Sequence, residues 1–306
     1  MLVGLLLTTA AWGQPVDQPS SGAVAARVDG NPIRISELQE QFTSLAGKRT
    51  LNTAQVQRLQ SAILERVIQR HLVLAYLQRT EQAASKADVD LAIEQLAAQL
   101  RLQQKTIADY VAEEKIDDQQ LIMRLNWQLS WSRFQKRYLT DNNLERFFDQ
   151  HSDEFDGTRR RVAHILLKTT EETSASELLK LKARQQLLRE QISSGDISFA
   201  EAARQHSESP TSAKGGDIGL ISWQGPMPAD FTRTAFTLSV GELSQPIVTR
   251  FGVHVLTCTE VKKGQGTWQD AQQELRDAVI RYLFDWAAGE QREHSRIKYT
   301  GNWPEK

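Results

Sequence analysis

The strongest constraint lies near the C-terminus, in a helix with an apolar face and no domain of its own to bury it against. From Thr267 onward, Leu275, Ala278, Val279, Tyr282, Leu283 and Trp286 make a continuous apolar stripe at helical spacing. The segment before it, Arg159 to Lys263, reads as a finished α+β domain that stops at Gly264 and Gly266. A lone amphipathic helix beyond a finished domain needs a partner elsewhere. Helices with matching apolar faces lie at the other end of the chain, between residues 23 and 155. The pattern therefore predicts one helical domain built from two distant segments, 23–155 and 267–306, with residues 159–263 inserted between them.

Within the first segment, Ala23 to Ile35 reads as a hairpin. Val24 and Val28 favour strand, Asp29-Gly30-Asn31-Pro32 is turn chemistry, and Ile33 and Ile35 resume the extended pattern. Ser36-Glu37-Leu38-Gln39 reads as a capping box opening a first helix. A longer helix starts near Thr53, with Val56, Leu59, Ile63, Val67 and Leu74 on one stripe. Further helices are predicted from Ser85, from Thr106, from Asp117 to Leu139, and around Leu144. Trp127 and Trp131, four residues apart, are expected in the core.

The inserted segment changes character. Arg161 to Leu167 alternates as a strand, Glu177 to Ile192 is helical, and Ser198-Phe199-Ala200-Glu201 is a capping box for a short helix. Gly215-Gly216-Asp217-Ile218-Gly219 is a turn into a strand, Phe231 to Phe236 a short helix, and Val253 to Val261 a closing strand.

Composition excludes several function classes. The chain has 306 residues, 40% hydrophobic and 25% charged, with a formal net charge of −1. That length suits about two domains of ~100–200 residues each. The balance of charge argues against a nucleic-acid partner, which needs a basic face. A lone thiol, Cys258, rules out an internal disulfide framework or a cysteine-rich zinc site. His71, His151, His206 and His294 show no ligand spacing, so no metal is expected. The glycine run 215–219 lacks a following Gly-Lys-Ser/Thr, so no nucleotide site is expected. Leu2 to Ala11 is a short apolar run, and Ala11-Trp12-Gly13 offers small residues for cleavage, so residues 1–13 are expected to be a signal peptide. Gln14 to Gly22, rich in Pro, Ser and Gln, is the expected linker. The run is shorter than the ~20 residues that span a bilayer, and no later stretch reaches that length.

Five stretches carry a resemblance. Arg161-Val162-Ala163-His164-Ile165-Leu166-Leu167-Lys168 resembles the opening strand of parvulin-type (PpiC, rotamase) peptidyl-prolyl cis/trans isomerases. Phe199-Ala200-Glu201-Ala202-Ala203 with His206-Ser207-Glu208-Ser209-Pro210 follows in the same order. Gly215 to Gly219, Gly241-Glu242-Leu243-Ser244-Gln245-Pro246-Ile247 and Gly252-Val253-His254-Val255-Leu256 complete the set. The flanking segments resemble SurA-like periplasmic chaperones, through Val28-Asp29-Gly30-Asn31-Pro32-Ile33 with Ser36-Glu37-Leu38, and through His151-Ser152-Asp153-Glu154-Phe155.

The resemblance implies an α+β protein: a SurA-like helical chaperone domain holding an inserted parvulin domain with a four-stranded antiparallel sheet and surrounding helices. It implies that His164 and His254 are paired imidazoles on adjacent central strands, with Ser209 and Thr249 as further polar site residues. Ile218, Met227 and Phe231 match the family's proline pocket. Taken singly, each histidine reads as a satisfied core residue, and Met227 and Phe231 as plain core; only their joint order points to a site. Ser209 departs from the Asp or Cys usual at that position, which removes a charge. The implied activity is rotation of X–Pro bonds without cofactor or metal, on unfolded or proline-containing clients, outer-membrane or secreted proteins among them, in the periplasm or otherwise outside the cytoplasm. The other reading is a binding-only periplasmic chaperone with a weakly active or inactive parvulin scaffold.

Overall fold

A computed structural model describes residues 23–47, 49–170, 172–301 and 303. The expected signal peptide and linker over residues 1–22 lie outside the described residues. The chain opens with the hairpin, β1 (Val24–Val28) against β2 (Asn31–Arg34). Asp29 and Gly30 both take positive φ, 51° and 85°. Two such residues give the turn whose twist matches paired antiparallel strands.

Helix α1 (Ile35–Ala46) follows without a break. The capping box expected at Ser36 is not there: the N-cap is Arg34 and has no side-chain cap bond. The strand ladder does that work, because the Ile35 N–H donates to the Ala23 carbonyl at 2.9 Å. Helix α2 (Thr53–Arg79) opens with a full capping box of Asn52 and Gln55. It buries Ile63, Leu64, Val67, Ile68, Leu72 and Leu77. Ser85 with Asp88 caps α3 (Lys86–Leu102), and Thr106 with Asp109 caps α4 (Ile107–Glu113). Helix α5 runs Asp118–Tyr138.

Helices α6 (Asp141–Gln150) and α7 (Ser152–Phe155) lead into a sheet of β3 (Arg159–Lys168), β4 (Asp217–Ser222), β5 (Ile247–Thr249) and β6 (Gly252–Lys262). Its order is β4-β3-β6-β5 and every pairing is antiparallel. The alternation expected for Arg161 to Leu167 does not appear in burial, since Val162 through Leu167 are all buried. Both faces are covered, and a strand covered on both faces has no wet side. On one face α8 (Ala175–Ser194) and α9 (Phe199–His206) place Leu188, Ala202 and Ala203 against Ile165. On the other, α10 (Ala229–Thr237) places Phe231, Ala235 and Phe236 against Val162, Leu256 and Cys258. Ser198 caps α9 by accepting from the Glu201 N–H, one half of the expected box.

Helix α11 (Gln272–Arg292) and β7 (Ile297–Tyr299) end the described chain. Strand β7 pairs with β1, giving a three-stranded sheet of order β2-β1-β7. Of the expected stripe on α11, Leu275, Val279 and Leu283 are buried, but Tyr282 and Trp286 are 55% and 38% exposed. Phe284, Ala287 and Ala288 are buried in their stead. The inward face has turned by about one position, as a 3.6-residue period allows.

By proximity the chain divides into two units, Met1–Trp131 with Phe284–Lys306 and Ser132–Leu283. Both divisions fall inside helices, α5 and α11. The change of residue pattern lies elsewhere, near 155–159 and 264–267, because periodicity reports secondary structure and not contact. In the first unit Trp127 and Trp131 stack, with ring centroids 5.5 Å apart, and both meet Phe284 edge-on.

Candidate active site

The register of the two central strands brings the imidazoles together. His164 pairs with Leu256 and His254 with Leu166, so the histidines are diagonal neighbours. Both fall on the α10 face of the sheet, with Val162 and Leu256. Their Nδ1 atoms are 3.2 Å apart, and the rings lie 5.4 Å apart at 23°. Each outer nitrogen meets a hydroxyl at 2.8 Å: His164 Nε2 with Ser209 Oγ, and His254 Nε2 with Thr249 Oγ1. All four side chains are buried.

Backbone close by fixes this row. Gly216 takes φ 82° and its carbonyl accepts from the His164 N–H at 3.0 Å. A Cβ on Gly216 would stand 2.4 Å from the His164 oxygen, so no larger residue fits there. Arg161 holds Asp217, at the start of β4, through a two-pronged ion pair. The guanidinium lowers the Asp217 pKa below the usual carboxylate range.

Burial pushes both imidazoles down, from 6.5 to about 4, and for His254 the neighbouring His164 adds to it. Near pH 7 both rings are therefore neutral. A single hydrogen bond between two Nδ1 atoms then requires opposite tautomers. The ring that donates through Nδ1 accepts a hydroxyl proton at Nε2, and the other ring donates from Nε2. The row Ser209–His164–His254–Thr249 thus has one polarity at a time, running from one hydroxyl to the other.

Two further members escaped the sequence reading. Thr211 Oγ1 lies 3.0 Å from Ser209 Oγ, and the Thr211 N–H donates to that oxygen at 3.3 Å. At the opposite end the Phe251 N–H donates to Thr249 Oγ1 at 3.1 Å. The Ser-Pro-Thr spacing, a hydroxyl two residues from a turn N–H, was the available signal for Thr211.

The apolar residues gather on the same face. The Phe231 ring meets both imidazoles edge-on, with centroids 5.7 Å from His164 and 5.5 Å from His254. Ile218 and Met227, half-buried, pack against the cluster that contains Phe231. Phe231 itself is only 2% exposed. It forms the floor under the imidazoles, and the accessible apolar surface belongs to Ile218 and Met227. Among the described residues no three His, Cys, Asp or Glu side chains group closely enough to hold a metal ion. No described helix is long and apolar enough to cross a membrane.

Residues 164–260 match the family described as Rotamase, PPIC-type PPIASE domain. The chain is 26% identical over 273 residues to Chaperone SurA of Methylobacillus flagellatus, covering 84% of this chain and 61% of that one. Over 126 residues it is 36% identical to Chaperone SurA of Thiobacillus denitrificans, 40% of this chain and 27% of the other. It is 24% identical over 277 residues to Foldase protein PrsA of Halalkalibacterium halodurans, covering 87% and 72%. The chain thus spans less than two thirds of the Methylobacillus relative. Residues 164–260 are a parvulin-type rotamase domain, carried in a chain of SurA-like architecture.

Proposed function

We propose that the protein is a peptidyl-prolyl cis/trans isomerase and folding chaperone for exported polypeptides, with residues 159–263 as its isomerase domain and 23–155 with 267–306 as its chaperone domain. The observation that carries this reading is the buried hydrogen-bonded row of Ser209, His164, His254 and Thr249 beside Ile218, Met227 and Phe231. The barrier to rotation of an amide is ~18–20 kcal/mol and comes from resonance. Nothing is bonded or cleaved, so the site needs only to favour the twisted amide over the planar one. Planar amides carry the larger charge separation, which apolar surroundings disfavour. Ile218 and Met227 grip the proline ring; a thioether adapts its shape and an aliphatic group excludes water. The polar row keeps the floor rigid and neutral, and its hydroxyl end offers a proton to the amide nitrogen as its lone pair localises. Each ~1.4 kcal/mol gained in the transition state alone is tenfold in rate.

Clients on this reading are unfolded or proline-containing segments of outer-membrane or secreted proteins, met in the periplasm. Their release needs no nucleotide.

A second reading, a binding-only chaperone with a weakly active or inactive parvulin scaffold, is favoured by Ser209. No member of the row is charged near pH 7, so the electrostatic lever of an Asp or Cys at that position is missing. One assay separates the two. Isomerisation of a short X–Pro peptide by the full chain is expected to rise above background and to fall about tenfold in kcat/KM in Met227→Ala. No rate above background in the folded wild type refutes the enzyme and leaves the scaffold.

A further inference from the structure

The helical unit holds a groove that the isomerase chemistry does not use. Its volume is about 1110 Å³, and it lies beside α1, α2 and the start of α5. Along α1 its lining runs from Ser36 to Leu45. At 1.5 Å per residue that is about 13 Å, the length of roughly four residues of extended chain.

One wall is apolar. Met123, Trp127 and Phe284 line it, and Leu45 stands at its edge 53% exposed. Trp127 is held upright there by its stack on Trp131. This explains why a tryptophan expected in the core is only half-buried.

The rest of the lining is mostly polar, with one positive charge in excess. Arg66, Arg70, Lys115 and Arg124 face three carboxylates, Glu37, Glu40 and Glu114. Glu37 is taken by Arg70 and Glu114 by Arg124. Arg66 instead lays its guanidinium over the Phe284 ring, 4.0 Å from the centroid. Burial lowers the Arg70 pKa and the charge of Arg124 lowers it further, so these two cations share one field. His71 lies in the same lining, only 9% exposed, and its Nε2 has no hydrogen-bond partner.

We propose that this groove binds an extended peptide segment in which an aromatic or aliphatic side chain is flanked by a carboxylate. The apolar side chain lies against Trp127 and Met123. The carboxylate is drawn to the one positive charge that Arg66 and Lys115 hold in excess of Glu40. The inference rests on the chaperone half of the proposed function and not on the isomerase half.

The test uses the full chain. Its single cysteine, Cys258, is buried, so Leu45→Cys can carry an environment-sensitive dye at the groove edge. Two proline-free eight-residue peptides serve as probes, one with a central Phe-Glu pair and its twin with Phe-Lys. The acidic peptide is expected to bind at least tenfold tighter, with added salt narrowing the gap. Arg66→Glu with Lys115→Glu is expected to reverse that preference while leaving the isomerisation rate on a short X–Pro peptide unchanged. Equal binding of the two peptides, or an unchanged preference in the double variant, overturns the proposal. A dye signal that follows protein concentration without peptide also overturns it, since a second copy is then the occupant. Absence of isomerisation with the preference intact defeats the enzyme and leaves the groove standing.

Discussion

Titration of the buried imidazoles ties the site to the stability of the fold. His71, His164 and His254 all have pKa values lowered to about 4 by burial. Above pH 6.5 folded and unfolded chains are both neutral at these rings, and stability does not change with pH through them. As pH falls from 6.5 toward 4 the unfolded chain takes up protons that the folded chain refuses. Stability therefore drops across that window, by up to about 3 kcal/mol per ring, since each tenfold difference in proton affinity between the two states is worth ~1.4 kcal/mol. Urea midpoints at pH 7 and pH 4.5 check this, and His71→Phe should flatten the slope. Ser209→Asp makes a sharper prediction. A carboxylate beside His164 Nε2 favours the imidazolium and raises that pKa, which imidazole NMR reads directly; an unmoved resonance refutes the geometry at the Ser209 end of the row. These residues were legible in the sequence because the family's order puts them on neighbouring strands. Thr211 was not, because a hydroxyl near a turn is common and only the fold shows which hydroxyl it meets.

Elements hold the row in place through close backbone approaches. Gly216 sits at φ 82° with its missing Cβ 2.4 Å from the His164 oxygen. Gly216→Ala must push β4 away from β3 or leave a strained residue, at about 1–3 kcal/mol. Its melting temperature is expected to fall by several degrees and isomerisation to fall with it, while Gly219→Ala, at φ 78° with open space around it, pays only the strain. Gln185 on α8 is a second fastener. Its Nε2 donates to the carbonyls of Ile165 and Val253, both at 2.9 Å, and so ties β3 to β6 beside the histidines. Gln185→Leu leaves two buried carbonyls short of a donor, at roughly 1–3 kcal/mol, which chemical denaturation measures. Helix starts at Ser85 and Thr106 showed in the sequence because caps are local chemistry, whereas the cap at Ser174 was missed and that helix was expected only from Glu177. Strands β5 and β7, three residues each, did not. They form because β6 and β1 supply partners distant in sequence, and no three-residue window carries that information.

At the scale of the whole molecule, the C-terminal segment completes the unit that the N-terminus begins. Strand β7 pairs with β1, the Asp29 carboxylate accepts from the Arg296 N–H at 2.7 Å, and the Trp303 Nε1–H donates to the Gln60 carbonyl at 3.0 Å. Phe284, Ala287 and Ala288 are buried, and Arg79 donates to Gln291 at 2.9 Å. Removing residues 284–306 strips one strand from a three-stranded sheet and uncovers apolar surface worth about 25 cal/mol per Å². A two-stranded hairpin left alone is marginal in water. The expected result is loss of amide-exchange protection in β1, β2 and α2, with β3 and β6 still protected, because the four-stranded sheet takes no strand from the deleted segment. Two-state analysis is unsuited to such a chain, so protection is read residue by residue. Equal loss in β3 and β6 would falsify the division, for it would mean that the apolar face of α11 supports the inserted sheet and the helical unit alike.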